Sequence, residues 1–200
     1  MKKLSMVVLV LSVLAVLGST AQATLIDFET LVDNQNIHGV NLGGVTLYEP
    51  QLGIVEVYAN SRDGVFYHSQ ANAVSSDRAA SWAYPIIGVF DAPQVNVSLW
   101  AGDEGFDNDQ WELEAFDAVA GGNSLGLVQS AIWNGNPYTQ LSISAPGIWR
   151  FEARHLGPTT TGIGYDDLEF SDGVIPAPAA IVLGTLGTGL VGWLRRRRTL

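Results

Sequence analysis

Two stretches, VNVSLWA at residues 95–101 and WELEAFD at residues 111–117, carry the pattern that decides the fold. In the first, apolar residues at positions 95, 97 and 99 alternate with polar residues at positions 96 and 98. In the second, Trp111, Leu113 and Ala115 alternate with the residues at positions 112, 114 and 116. A period of two is typical of a β-strand with one buried face, so both stretches are predicted to be strands.

Similar runs recur between residues 24 and 174, where short stretches rich in Val, Ile, Leu, Phe, Tyr and Trp are separated by Gly, Asn, Asp and Pro. No stretch in this region keeps an apolar period of 3.6 residues. Further strands are predicted at residues 25–29, 45–49, 54–59, 80–84, 86–90, 125–132, 139–143, 148–155 and 167–170. This series of short strands predicts an all-β fold, a two-sheet antiparallel sandwich of jelly-roll type.

The first 23 residues have the three parts of a secretory signal peptide. Lys2 and Lys3 give a positive start, residues 4–17 form an apolar stretch, and AQA at positions 21–23 is a small-x-small cleavage site. Cleavage after Ala23 would leave Thr24 at the new N-terminus. The alternative is a permanent N-terminal anchor, which the cleavage site disfavours.

The C-terminus, residues 174–200, also has three parts. Pro176, Ala177 and Pro178 open it, residues 179–194 are uncharged and largely apolar, and a basic cluster closes it, formed by Arg195, Arg196, Arg197 and Arg198. A helix needs about 20 apolar residues to span a bilayer, so this run reaches across only barely. The four arginines should stay cytoplasmic and leave the preceding chain outside. A buried core helix is the alternative.

This tail resembles the PEP-CTERM sorting signals of exopolysaccharide-producing Gram-negative bacteria. In that family a Pro-Glu-Pro-like motif precedes one transmembrane helix and an Arg-rich tail, and a membrane protease called exosortase is thought to cut near the motif. Ala177 stands where the family motif has Glu, as in variant signals with an Ala-rich motif. The resemblance implies an exosortase partner, membrane insertion before processing, export through the inner membrane, and a final location at the cell surface or in the extracellular matrix.

Between these ends lies a predicted ectodomain, residues 24–173, that is far more acidic than the whole chain. It contains all 20 Asp and Glu residues and only four arginines, at positions 62, 78, 150 and 154, so its formal net charge is −16 compared with −10 for the chain. It has no lysine. Binding to nucleic acid depends on Lys and Arg that neutralise phosphates, so a nucleic-acid partner is excluded and cations are favoured.

The ectodomain resembles the β-sandwich ectodomains often found ahead of PEP-CTERM signals, which are similar to carbohydrate-binding jelly rolls. The resemblance is carried by IDFE at 26–29, GVTL at 44–47, VSLWAGD at 97–103 and GYDDLEF at 164–170. In jelly rolls of that kind, an acidic residue on the first strand and another near the last strand commonly share a structural calcium. The resemblance implies that Glu29 and either Asp166 or Asp167 hold it here.

A second calcium prediction comes from the residues themselves. The loop at 101–109, AGDEGFDND, places Asp103, Asp107 and Asp109 close together with glycines that let the backbone turn. Calcium binds six to eight oxygen ligands from carboxylates, amides and carbonyls. The spacing does not match an EF-hand, and a solvated acidic turn is the alternative. Because the chain has no cysteine, an ion would supply the crosslink that a disulfide provides in many exported proteins.

Aromatic residues are the other candidates for binding. Sugar-binding sandwiches stack Trp and Tyr rings against pyranose faces. The loop WNGNPY, residues 133–138, places Trp133 and Tyr138 beside side-chain amides, and these two are the predicted carbohydrate-binding pair.

The chain has no cysteine nucleophile and no H-E-x-x-H metalloprotease motif. A glycosidase needs only two carboxylates at a suitable separation, and four acidic strand residues are candidates: Glu112, Glu114, Glu152 and Glu169. The alternative, a solvated sheet face, is favoured. We therefore expect a non-catalytic surface or biofilm-matrix protein that binds extracellular polysaccharide or is structural or adhesive. A carboxylate-based glycoside hydrolase or lyase, and a surface spacer without a ligand, remain alternatives.

If the C-terminal signal is processed, the exported protein should lack Arg195, Arg196, Arg197 and Arg198. Intact-mass analysis of protein from its native host measures this directly. An exported form that keeps the complete tail would refute the sorting hypothesis.

Overall fold

The computed structural model describes residues 23–51, 53–59, 72–75, 84–102, 108–134, 138–157 and 164–173. Every regular element in these ranges is a β-strand, and every strand pair is antiparallel. The strands are β1 Ala23–Ile26, β2 Val45–Tyr48, β3 Glu56–Ala59, β4 Asn72–Ser75, β5 Ile86–Gly102, β6 Asn108–Asp109, β7 Trp111–Phe116, β8 Ser124–Gln129, β9 Trp133–Asn134, β10 Thr139–His155 and β11 Gly164–Ser171. The predicted all-β class is confirmed.

Two long strands hold the sheet together. β5 and β10 have 17 residues each and pair from Thr139 opposite Ala101 to Ala153 opposite Ile86. The strand order is β3-β4-β11-β5-β10-β7-β8, with β1 added on β11 and β2 added on β5. A separate two-stranded sheet joins β6 to β9.

The prediction of separate short strands at 86–90 and 95–101, and again at 139–143 and 148–155, was wrong. Pro93 and Gly147 suggested turns between them, but each pair is one continuous strand. The ladder shifts register twice, between Ser144 and Ile148 and between Ile148 and Arg150. Such irregularities let paired strands bend without separating. The sequence also gave no prediction for β4, β6 or β9.

These bends divide β5 and β10 into halves with different neighbours. The far half of β5 pairs with β11, whereas its first residues pair with β2. The second half of β10 pairs with β7. Inward-facing side chains from both halves join one hydrophobic cluster, and Phe90 lies 5.6 Å from Phe151 and 5.0 Å from Phe170 between ring centroids.

Close packing at the first half of this pair depends on a glycine. A Cβ atom at Gly88 would overlap the ring of Phe151, so only glycine leaves room for that ring beneath β5. Phe151 is 1% exposed and belongs to the core.

The alternation predicted for β7 is confirmed. Trp111, Leu113 and Ala115 are fully buried, which places the carboxylates of Glu112 and Glu114 on the opposite face. That opposite face contains the candidate site.

Both terminal segments lie outside the described residues. Residues 1–22 of the predicted signal peptide and the predicted transmembrane helix at 179–194 fall there, together with Pro176, Ala177, Pro178 and the four terminal arginines, whereas Ala23 begins β1. No helix long and apolar enough to cross a membrane occurs in the part of the chain that the structure describes.

Candidate functional site

The outer face of β7 and β10 carries a set of charged side chains that we call the charged face: Arg150, Glu152, Arg154, Glu112 and Glu114. Phe151, Ala153 and His155 of β10 face the core, so the residues between them must face outward. The register places Glu152 opposite Glu114 and Arg154 opposite Glu112. Cross-strand neighbours on one face lie within reach of each other, so these side chains interact.

Arg154 is the centre of the charged face. Its Nη1 donates to Glu112 Oε1 at 2.8 Å and lies 3.5 Å from Glu114 Oε2, while Nη2 donates to Glu152. Gln129 Nε2, on β8, donates to the other oxygen of Glu112 at 2.7 Å. Burial opposes the charge on Arg154, but hydrogen bonds and attraction from Glu152 and Glu112 raise its pKa. Arg154 thus offsets the repulsion between the opposed carboxylates of Glu152 and Glu114.

Arg150 holds both terminal nitrogens of its guanidinium in contacts within the protein, while its Nε is buried without a hydrogen-bond partner among the described residues. Nη1 donates to Glu152, Nη2 donates to the Gly121 carbonyl oxygen at 2.9 Å, and the guanidinium lies 3.8 Å from the ring centroid of Phe116. The whole residue is only 8% exposed. The positive charge of Arg150 therefore interacts with groups of the protein itself.

Beside Arg150 lies an open groove of about 490 Å³. Residues of β2, β5, β10 and the adjoining loops line it: His38, Tyr48, Glu49, Pro50, Gly53, Ile87, Val119, Ala120, Gly121 and Arg150. The pairing of Tyr48 with Ile87 brings β2 to β5 and sets the exposed tyrosine over the half-buried isoleucine. Tyr48 is 37% exposed and Val119 is 52% exposed, so both can contact a ligand.

The first wall of the groove is built around the buried carboxylate of Glu49. Its oxygens accept the backbone N–H groups of Gln51 at 2.7 Å and Gly53 at 3.0 Å, which fixes the turn after β2. The Glu49 N–H donates to His38 Nδ1 at 3.2 Å. Because Nδ1 accepts, the neutral His38 ring carries its proton on Nε2. The ring of Tyr48 packs against His38 edge to face, with centroids 5.5 Å apart.

The second wall is the loop between β7 and β8. Asp117 accepts two hydrogen bonds from Asn123, from the backbone N–H at 2.7 Å and from Nδ2 at 2.9 Å. These hydrogen bonds lower the pKa of Asp117, because they favour the ionised carboxylate. The two hydrogen bonds between Asp117 and Asn123 join the ends of the loop that brings Val119 and the Gly121 carbonyl to the groove.

The predicted carbohydrate-binding pair lies elsewhere. The ring of Tyr138 packs over Gly102, where an added Cβ would lie 2.8 Å from ring atoms, so Tyr138 covers the end of β5. Trp133 pairs through its backbone with Asp109, and its side chain lies outside the described residues. Tyr138 is not among the described residues that line the groove. Their role in binding sugar stays a prediction.

The predicted calcium residues fall into two places. Glu29 accepts the backbone N–H of Asn72 at 3.3 Å, and Asn72 also donates to the Phe28 carbonyl at 3.1 Å. The β1–β11 ladder ends with Ile26 opposite Leu168, which brings the chain after β1 toward residues 166 and 167. The carboxylate of Asp166 is fully buried and accepts the N–H of Asp167 at 2.7 Å.

The acidic loop at residues 101–109 is described only in part. Asp103 and Asp107 lie outside the described residues. Asp109 is buried, and its Oδ1 lies 2.6 Å from His155 Nε2 at the end of β10. Within the described ranges, no group of three His, Asp or Glu side chains is placed to hold a metal ion. Calcium binding by either set stays a prediction.

The four candidate carboxylates are only partly brought together. Glu112, Glu114 and Glu152 share the charged face, whereas Glu169 lies on β11 opposite Ser98. Sequence reasoning missed the groove residues His38, Tyr48 and Ile87. A signal for the charged face was present in the alternation of Arg150, Glu152 and Arg154, but no comparable signal links residues 38–53 to residue 87.

Comparisons with known proteins agree on the fold. No family model matches the sequence, and no curated protein matches it. Among solved structures, the K2 cleaved adhesin domain of Lys-gingipain is similar with a TM-score of 0.54 and 14% identity, covering 76% of this chain and 98% of that chain. A second Lys-gingipain adhesin domain, from Porphyromonas gingivalis W83, has a TM-score of 0.44 and 12% identity over 74% of this chain and 97% of its own.

A family 29 carbohydrate-binding module from Piromyces equi has a TM-score of 0.41 and 8% identity, covering 76% of this chain and 92% of that module. At these identities the first of the three similarities establishes a shared antiparallel β fold and nothing further.

Proposed function

We propose that this protein is an exported, non-catalytic protein of the cell surface or extracellular matrix that binds glycans or acts as an adhesin, and that the groove is its binding site. The observation that carries the proposal is the exposed Tyr48 ring, braced by His38 beside the half-buried Ile87. An aromatic ring offers a sugar both apolar area and polarised C–H contacts. The groove volume also lies in the range of roughly 300–1,000 Å³ that is usual for ligand sites.

The fold supports the same role. We propose that the bent nine-stranded sheet is a two-sheet sandwich of jelly-roll type, with β5 and β10 shared between the layers. The structure with the highest TM-score quoted above is an adhesin domain, and its name fits a surface role. The groove then lies on the outer face of one layer, where long polymers have access.

A carboxylate-based hydrolase or lyase is less well supported. A glycosidase general acid must hold a proton until it transfers it to the leaving group. Glu112, Glu114 and Glu152 instead all contact Arg154, which suits a structural ion network better than a proton donor. A spacer without a ligand would have no use for an exposed tyrosine over an open groove.

Export and sorting form part of the proposal. The three-part tail supports membrane insertion followed by cutting by an exosortase-type protease, and the N-terminal segment supports secretion. The strong negative charge of residues 24–173 suits a protein that has cations as partners.

We also propose a structural calcium between the first and last strands, with Glu29 and Asp166 or Asp167 as ligands. Calcium accepts backbone carbonyls as well as carboxylates, so two or three acidic side chains are enough. Phe28 and Asp167 have φ values of 58° and 45°, in the left-handed region that residues with a side chain seldom adopt. Strained backbone of this kind often occurs at ligand sites.

Calcium should raise the melting temperature of the purified protein by about 5 °C or more at saturation, because an ion that binds only the folded state stabilises it. Glu29→Gln should abolish the rise. Glu169→Gln, also on the β1–β11 side but not a proposed ligand, is the matched control and should keep it. A melting temperature that does not respond to calcium or chelator would rule out this site.

A glycan array screen tests the groove. Tyr48→Ala should weaken binding to any glycan found by at least about tenfold, or about 1.4 kcal/mol, because the stacking surface is removed. Tyr48→Phe keeps the ring and should bind nearly as well as the wild type. Val32→Ala, at a side chain that is 69% exposed and does not line the groove, is the control. Unchanged binding in Tyr48→Ala would refute the groove as the site.

A further inference from the structure

We propose that the groove binds an uncharged sugar and rejects glycans that carry carboxylate, sulfate or phosphate groups. This inference rests on the proposed function and adds the chemical class of the ligand. It follows from the charged residues that line the groove and from the partners that each of them already has within the protein.

Arg150 is the only arginine or lysine among the described groove residues, and it is 8% exposed with both terminal nitrogens hydrogen-bonded within the protein. Glu152 pairs with it, the Gly121 carbonyl accepts from Nη2, and Phe116 covers its face. Recognition of a carboxylate or sulfate by arginine uses two parallel N–H donors. To offer them, Arg150 would have to leave Glu152, and that partly buried carboxylate would keep only Arg154 as an arginine partner.

The acidic residue of the groove, Glu49, is also unable to contact a ligand through its carboxylate. Glu49 is 0% exposed, and both of its oxygens accept backbone N–H groups of its own loop. The accessible part of the groove, among its described residues, therefore has no exposed Asp, Glu, Lys or Arg side chain and is formed by Tyr48, His38, Val119 and backbone groups of the two loops. Because its Nδ1 accepts from the Glu49 N–H, His38 supplies a donor at Nε2, which matches a hydroxyl or ring oxygen.

The surroundings of the groove disfavour an anion further. Glu152 lies next to Arg150, and Glu114 lies opposite Glu152 across the strand pair. Residues 24–173 carry a formal net charge of −16. A field of one sign slows the approach of a polymer with the same sign and weakens its binding. An acidic polysaccharide would meet repulsion outside the groove and no exposed arginine or lysine among the described groove residues.

Binding of the purified protein to two sets of soluble polysaccharides tests this inference: neutral galactans, xylans, mannans and β-glucans, and acidic alginate, polygalacturonate and a sulfated galactan. Affinity electrophoresis at low and high salt provides the measurement. We expect at least one neutral polymer to bind with an affinity that salt does not change, and to lose about tenfold or more in Tyr48→Ala. The acidic polymers should not bind.

Val119→Lys provides a gain-of-function arm. Val119 is 52% exposed at the rim of the groove, so a lysine there adds an accessible cation without disturbing the core. This variant should gain salt-sensitive binding to an acidic polymer, and Val119→Gln, the uncharged control, should not. No gain in Val119→Lys would overturn the claim that missing charge is what excludes acidic glycans.

The two proposals fail differently. An acidic polymer that binds the wild type and is lost in Tyr48→Ala would overturn the neutral-sugar inference while supporting the groove. Binding of every polymer that is unaffected by Tyr48→Ala, or no binding at all, would overturn the groove as a glycan site and the inference with it.

Discussion

The pairing of β5 with β10 is the constraint on which the rest of the described structure depends. These two strands, of 17 residues each, pair from Thr139 opposite Ala101 to Ala153 opposite Ile86 and pass through two register shifts. Bending gives each of them two sets of neighbours, and side chains from both sets meet in one core around Phe90, Phe151 and Phe170. Without continuous pairing through the bend, the first and second halves would be separate sheets with nothing to fix their relation.

The candidate site is a consequence of the same pairing. Arg150 comes directly after the last register shift of β10, and its outward side chain meets Glu152, Phe116 and the Gly121 carbonyl. The arginine therefore ties the β7–β8 loop to the sheet and forms one side of the groove. The groove and the charged face share this residue, and the charges used to build the face are not available for binding. This sharing of Arg150 is the physical basis of the proposal that the binding surface is polar but uncharged.

The sequence predicted β-strands correctly where the pattern within a single strand was sufficient evidence. The alternation at residues 111–116 required only the local pattern, and the burial of Trp111, Leu113 and Ala115 follows it. The long strands were missed because Pro93 and Gly147 usually end a strand, and only the partner strand shows that they do not here. The groove could not be predicted because Tyr48 meets Ile87, and Arg150 meets Phe116, through a register that no local pattern reports. The pair Trp133 and Tyr138 was chosen for composition, but Tyr138 packs over Gly102.

Two-dimensional NMR of isotopically labelled protein, titrated with a glycan found to bind, would test the position of the site most directly. Binding in the groove should shift the backbone amides of residues 36–53, of residues 119–121 and of Arg150, while residues 131–140 stay unchanged. Shifts concentrated at residues 131–140 would instead locate binding at the loop that contains Trp133 and Tyr138, and would contradict the groove.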